Sequence, residues 1–223
     1  EAVCAIKGVF RVRLGSMEPE IISDEDILRL SRLEKLCPQF HLSLQSGCDK
    51  TLKLMNRHYT ADEYFKLCEK LRKHFPDCAI TTDIMVGFPQ ETDEDFKESL
   101  EFVRKVKFAD AHIFPYSRRS GTVADRLDGQ IDNKTKHKRA TEMSGVCAQP
   151  KKEYLSAQVG KVRRVLFEKE SSPEFHQGHT SEYVLVKVPR ISSETTLRRQ
   201  FREVEITGAE DNFCIGRIVC RNM

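Results

Sequence analysis

Tryptophan is absent from the 223 residues, and no stretch approaches the ~18–20 apolar residues of a membrane-spanning helix. Mean hydropathy is negative. The first residues lack the basic, apolar and small-residue succession of a signal peptide. Neither a membrane protein nor a secreted one is expected; a cytoplasmic protein is. Paired cysteine motifs are also lacking. The eight cysteines, Cys4, Cys37, Cys48, Cys68, Cys78, Cys147, Cys214 and Cys220, are scattered, with no CxxC or CxxxCxxC spacing. Disulfide scaffolds are far denser in cysteine, so reduced and mostly buried thiols are expected. His176 and His179 have no cysteine partners in sequence, which argues against a metal there. A strong charge of one sign is missing too. The net charge is +3, and residues 151–223 hold the whole surplus, with 13 Lys/Arg against 10 Asp/Glu. So small an excess fits a solvated surface as well as a nucleic-acid partner.

What is present falls into two patterns. Through the first two thirds, short β-type runs alternate with amphipathic helices. Phe10–Ser16 predicts a strand, and Ser23-Asp-Glu-Asp26 caps a helix with Ile27, Leu30, Leu33 and Leu36 on one face. Phe40–Ser46 predicts a strand, and Thr60-Ala-Asp-Glu63 opens a helix burying Tyr64, Leu67, Leu71 and Phe75. Ala79–Val86 predicts a third strand, Thr92-Asp-Glu-Asp95 a helix with Phe96, Leu100 and Val103 inward, and Asp110–Pro115 a fourth strand. Strands joined through helices imply a parallel sheet, with ligand groups gathered at the strand C-termini. A last helix starts near Asp132, weakened by Gly145 and broken at Pro150. Beyond it, Val162–Phe167, Tyr183–Val188, Phe201–Ile206 and Phe213–Val219 predict a small antiparallel barrel, with the domain boundary near 153.

The candidate site lies at the strand ends. Gln45, Ser46, Arg57 and Asp83 combine an amide, a hydroxyl, a guanidinium and a carboxylate, suited to a diol and a carboxylate-bearing ligand. Turn chemistry and a surface arginine would account for the same residues. Gly87-Phe88-Pro89 ends a strand, and its glycine lets backbone approach a ligand, an adenine face for example. A plain strand-to-helix turn explains it equally. Asp93, Glu94 and Asp95 fit helix-start electrostatics rather than catalysis. In the C-terminal part, Lys161, Arg163, Arg164, Lys187, Arg190, Arg198 and Arg199 stand among Phe167, Tyr183 and Phe201, a mixture able to hold phosphates and stack unpaired bases. An ordinary charged surface over an aromatic core is the alternative.

Five motifs stand in order: Arg13-Leu-Gly-Ser-Met-Glu-Pro19, His41-Leu-Ser-Leu-Gln-Ser-Gly-Cys-Asp49, Met55-Asn-Arg57 with Tyr59-Thr60, Thr82-Asp-Ile-Met-Val-Gly-Phe-Pro89, and Phe114-Pro-Tyr-Ser117 with Gly121-Thr122. Together they resemble the MiaB-like radical S-adenosylmethionine (SAM) methylthiotransferases. Gly178-His-Thr180 with Tyr183 and Val188-Pro189 resembles the TRAM domain that ends those enzymes. The Leu-Gln-Ser-Gly-Cys-Asp and Phe-Pro-Tyr-Ser sequences resemble the MtaB-type subgroup, which acts on tRNA threonylcarbamoyladenosine.

The resemblance implies an α/β fold: a partial radical SAM (β/α) barrel over 1–152, followed by an OB-like TRAM barrel over 153–223. It also implies a SAM site. Gln45 and Asp83 match ribose-contacting positions, Arg57 one near the methionine carboxylate, and Ser16 with Glu18 the place of the methionine amino group. Ser46 and the Gly87-Phe88 turn complete that cradle, the turn beside adenine. Lys161, Arg163, Arg164, Lys187 and Arg190 would grip tRNA. The implied reaction is methylthiolation of N6-threonylcarbamoyladenosine at adenine C2, next to the anticodon. A reduced [4Fe–4S] cluster would cleave SAM, a second cluster would supply sulfur and another SAM the methyl group. An electron donor is implied; the sulfur donor is open. The CxxxCxxC motif and the second cluster's domain are not in these 223 residues, so a C-terminal fragment lacking the cluster ligands, inert by itself, is expected. The alternatives are a related enzyme acting on isopentenylated tRNA adenosine or a ribosomal protein, and a non-catalytic RNA-binding module.

Overall fold

The computed structural model describes residues 1–168, 173–190 and 196–219. In chain order the elements are α1 (Ala2–Ala5), β1 (Ser16–Met17), α2 (Asp24–Leu30), β2 (Gln39–Leu42), α3 (Asp49–Leu54), α4 (Ala61–His74), β3 (Ala79–Val86), α5 (Asp93–Val106), β4 (Asp110–Pro115), α6 (Asn133–Ser156), β5 (Val162–Phe167), β6 (Phe175–His179), β7 (Leu185–Pro189), β8 (Phe201–Ala209) and β9 (Cys214–Ile218). They form two compact units. One comprises Leu14–Glu34 and Phe40–Pro150; the other comprises Glu1–Arg13, Lys35–Gln39 and the residues from Lys151 onward. The grouping of Glu1–Arg13 and Lys35–Gln39 with the later residues has no counterpart in the sequence reading.

The first unit is a four-stranded parallel sheet in the order β1-β2-β3-β4. Strand β3 alternates strictly: Ile80, Thr82, Ile84 and Val86 are buried, whereas Thr81, Asp83 and Met85 are half-buried. The buried side meets the helices. Tyr64 of α4 is fully buried, and its hydroxyl donates to the Leu42 carbonyl at 2.9 Å. Phe96, Leu100 and Val103 of α5 are buried as their spacing predicts. Thr60 and Thr92 form the expected capping boxes with Glu63 and Asp95. Each such cap contributes about 1 kcal/mol.

Three local expectations fail for identifiable reasons. The helix opened by Ser23 stops at Leu30. Downstream, Val12 donates to the Lys35 carbonyl and accepts from the Cys37 N–H, each at 2.8 Å, drawing 35–37 into an extended bridge. That bridge and the two residues of β1 are all that forms of the expected strand over 10–16. Helix α6, by contrast, runs unbroken through Gly145 and Pro150. A proline in a helix forfeits one hydrogen bond at a cost near 3 kcal/mol. Buried Met143, Cys147 and Leu155 along α6 anchor it on either side of that defect.

The second unit contains a closed barrel, β5-β6-β7-β9-β8. Its core gathers Val165, Phe167, Val184, Val186, Val188, Val204, Ile206 and Cys214, with Leu155 and Leu197. The barrel is mixed rather than wholly antiparallel, because β7 and β9 pair in parallel. Strand β6 escaped the sequence reading: Phe175-His-Gln-Gly-His179 looks polar, yet His176 and Gly178 are its buried positions. A Cβ on Gly178 would collide with the Leu166 carbonyl of β5, so only glycine permits this approach. Six of the seven described cysteines are buried free thiols; Cys220 lies outside the described residues. Burial pushes the thiols of Cys78, Cys147 and Cys214 up to about 11. Among the described residues no helix is long and apolar enough to cross a membrane.

Candidate functional site

Parallel sheets ordinarily bury apolar residues on both faces. Here the face away from α4 is polar. Ser16 of β1 pairs in register with His41 of β2, and Asp83 of β3 with His112 of β4. The His41 ring bridges outward, with Nε2 3.1 Å from Asp83 Oδ2 and Nδ1 3.0 Å from the Thr81 hydroxyl. The His41 and His112 rings lie 6.1 Å apart. Just past β1, Glu18 accepts from Arg57 at 2.5 Å. Ser16 and Asp83 thus lie on the polar face, Glu18 and Arg57 pair beyond the end of β1, and all four are exposed or half-buried.

Gln45 sits where β2 runs out. Its N–H donates to the Asp83 carbonyl, and its carbonyl accepts from the Met85 N–H, both at 2.9 Å. These bonds hold it in the left-handed region, at φ 63°, which is strained for glutamine. Gln45 is only 8% exposed, yet its carboxamide has no hydrogen-bond partner among the described residues. Asp83 Oδ1 likewise has none. Neither group is sealed from solvent, so the carboxamide and the carboxylate remain available to a polar ligand such as a ribose diol. Ser46 serves the backbone instead. It is buried, and its hydroxyl accepts from the Cys48 N–H at 3.2 Å, closing the turn. Gly47 follows because a Cβ there would lie 2.8 Å from Phe102 of α5.

The Gly87-Phe88 turn is tightly built. Gly87 has φ 71°, and its N–H donates to the Glu91 carboxylate at 2.7 Å. Glu91 is itself buried against Arg139 at 2.7 Å. Burial pushes the Glu91 carboxyl up, opposed by the Gly87 N–H and Arg139. The Phe88 ring is buried edge-on against Tyr116, with centroids 5.2 Å apart. Asp93 pairs with Arg139 and Asp95 with Lys50, each at 2.7 Å.

In the barrel unit the five basic residues do not act alike. Alternation along β5 sends Arg163 and Arg164 to opposite faces. Arg163 is tied to Gln158 at 2.8 Å and to Glu182 at 3.3 Å, which makes it a structural residue. The Arg164 guanidinium lies 4.5 Å from the Phe201 ring centroid, and that of Arg11 lies 4.9 Å from the same ring. Lys187 lies 3.9 Å from the Phe213 ring. Lys161 and Arg190 are half-buried, and Phe167 belongs to the core. A second stack was not foreseen. Tyr183, 45% exposed at φ 64°, stacks on His179 at 4.3 Å while Arg13 lies 4.3 Å from its centroid.

Sequence reasoning missed the placement of His41 and His112 on the polar face and of Arg11 and Arg13 against aromatic rings. For His41 a signal existed, since a histidine inside a buried parallel strand is out of place. For Arg11 and Arg13 none did, because their aromatic partners lie more than 160 residues away.

Residues 1–103 match the protein-family model described as the Radical SAM superfamily. A solved structure, coproporphyrinogen III oxidase (HemN) from Escherichia coli, shares the fold with a TM-score of 0.54 at 16% identity, over 77% of this chain and 46% of that one. More particularly, the chain is similar to tRNA-2-methylthio-N(6)-dimethylallyladenosine synthase of Caldicellulosiruptor saccharolyticus, 37% identical over 98% of this chain and 46% of that protein. It is also similar to threonylcarbamoyladenosine tRNA methylthiotransferase MtaB of Bacillus subtilis, 36% identical over 81% of this chain and 41% of the relative. For MtaB of Thermotoga maritima the identity is 42%, over 73% of this chain and 38% of the relative. The chain spans less than half the length of each of these relatives.

Proposed function

We infer that the chain carries the SAM cradle and the RNA grip of a radical SAM tRNA methylthiotransferase. The observation that carries this reading is the backbone bond from Gln45 to Asp83, which brings together a carboxamide and a carboxylate oxygen, Oδ1, that have no hydrogen-bond partner among the described residues. When bound, SAM supplies radical chemistry at adenine C2 and the methyl group of the product. The chain's own groups bind and orient it. Asp83, held by His41, accepts from the ribose hydroxyls, and Gln45 donates to or accepts from the same diol. Arg57 meets the methionine carboxylate once it leaves Glu18, and Ser16 with Glu18 receives the ammonium group. Among the described residues no group of three or more His, Cys, Asp or Glu side chains could hold a metal.

The RNA grip is the outer surface of the TRAM-like barrel, where the Tyr183 and Phe201 stacks join basic groups to aromatic faces. For the substrate we favour N6-threonylcarbamoyladenosine beside the anticodon, on the Leu-Gln-Ser-Gly-Cys-Asp and Phe-Pro-Tyr-Ser motifs. The second reading is N6-dimethylallyladenosine, favoured by the 98% coverage against the Caldicellulosiruptor saccharolyticus relative. Binding of two anticodon stem-loops, one bearing each modification, tests the choice. Tighter binding of the threonylcarbamoyl form is expected. Tighter binding of the dimethylallyl form would establish the second reading, and binding of neither would remove RNA as the substrate.

A further inference from the structure

Beyond β4, the chain turns through Pro115, Tyr116, Ser117 and Arg118. Together with Asn133, Lys136 and His137 at the start of α6, they line a cavity of about 470 Å³. Lys136 is its unusual member. It is only 6% exposed, yet its ammonium has neither a hydrogen bond nor an ion pair among the described residues. The Tyr116 ring is its companion, with the centroid 5.2 Å from Nζ. Lysine is almost never this buried without a carboxylate. The stem cannot easily swing away, because it packs where a Cβ on Gly87 would stand. Tyr116 adds a second unsatisfied group: it is 8% exposed, and its hydroxyl is buried with no partner among the described residues.

The nearby carboxylates are engaged elsewhere. Asp125 holds Arg118 at 2.9 Å, and Asp132 accepts from the Thr135 N–H at 2.9 Å and its hydroxyl at 2.6 Å. Neither lines the cavity. The lining thus offers the Lys136 ammonium, a phenol, the Asn133 amide, the Ser117 hydroxyl and an imidazole, at the N-terminus of a 24-residue helix whose dipole favours an anion. Donors of several kinds with no acidic side chain suit a tetrahedral oxyanion. Ser117, Arg118, Asn133 and His137 are exposed, so a chain-like anion can reach it.

We propose that this cavity is a phosphate site that receives a phosphodiester group of the RNA substrate. The RNA half of this proposal rests on the function inferred above; the phosphate half does not. The test uses the 223-residue chain, with Lys136→Met to remove the charge and keep the stem, and Tyr116→Phe to remove only the hydroxyl. Inorganic phosphate is titrated calorimetrically, and a single-stranded RNA is titrated across a salt series. Saturable phosphate binding by the wild type is expected, weakened at least tenfold by Lys136→Met and several-fold by Tyr116→Phe. Lys136→Met should also leave Tm no lower, since it keeps the stem and breaks no hydrogen bond or ion pair among the described residues, an effect unlike the loss of a structural lysine. The salt slope of RNA binding should fall by about 0.7–1 on that substitution. Absence of saturable phosphate binding, or equal binding by Lys136→Met, overturns the site. If phosphate behaves as expected and the RNA slope does not change, RNA is rejected as the source of the phosphate. Failure of the wild type to bind RNA at all would count against the inferred function and leave the phosphate arm to judge the cavity.

Discussion

The two units solve the same packing problem in opposite ways. The barrel closes on itself, so its interior fills with Val165, Phe167, Val186 and Val204, and polar chemistry is left to its outer surface. The parallel sheet is open: α4 and α5 cover one face, and the other carries Ser16, His41, Asp83 and His112. A closed sheet can offer a ligand only its outside, as the Tyr183 and Phe201 stacks do. An open one can offer a whole polar face, here carrying the His41–Asp83 contact. Small-molecule binding is therefore expected in the first unit and surface-tracking, salt-sensitive binding in the second.

The largest expected effect breaks the sheet unit at its buried ion pair. Arg139→Met strands the Glu91 carboxylate, 1% exposed, and should cost about 3–5 kcal/mol in urea unfolding. A loss below about 1 kcal/mol would mean that water reaches Glu91. In the barrel, Gly178→Ala pushes a methyl into the Leu166 carbonyl and should cost about 1–3 kcal/mol, with loss of β5–β6 amide protection in hydrogen exchange. Tyr183→Ala should weaken single-stranded RNA binding by about 0.5–1 kcal/mol, because the ring that holds Arg13 in its cation–π stack is lost. Arg163→Ala should lower stability more than RNA affinity, because Arg163 is tied to Gln158 and Glu182.

The smallest effect concerns acid. Burial, the largest single influence on Asp95, pushes its pKa up but is outweighed by Lys50 and the Thr92 cap, so the net shift is downward. A carboxylate with a lowered folded pKa adds stability that is present above its unfolded value, ~3.9, and is lost as pH falls through the folded value. The stability gap between wild type and Asp95→Asn should therefore be constant near neutrality and shrink below about pH 4. A gap that grew in acid would contradict the assignment.

Much of the sheet unit was legible because its signals are local. The Thr60 and Thr92 capping boxes, the alternation of Ala79–Val86 and the Asp110–Pro115 run each lie within a dozen residues, and each matches its element. What failed was set by distant pairing. Leu36 left its helix for Val12, Pro150 was overruled by buried Met143 and Leu155, and β6 exists because Leu166 accepts Gly178 beside it. The site divides the same way. Gln45 and Asp83 were readable as strand-end polar residues. Their bonding through Gln45 N–H, and the support of Asp83 by His41, depend on a β2–β3 adjacency that spacing alone does not carry. Arg163 and Arg164 looked equivalent in a basic run, and only strand alternation separates them.

The account stands most directly on one titration: SAM added to the isotope-labelled 223-residue chain, followed by amide and side-chain NMR. Shifts should gather at Ser16–Glu18, His41–Ser46 and Asp83–Met85, the Gln45 carboxamide should move most, and Asp83→Ala should weaken binding by about 1–3 kcal/mol through its lost partners. Shifts scattered over the barrel, or an affinity indifferent to Asp83→Ala, would contradict the claim that the open polar face of the sheet is the cofactor site.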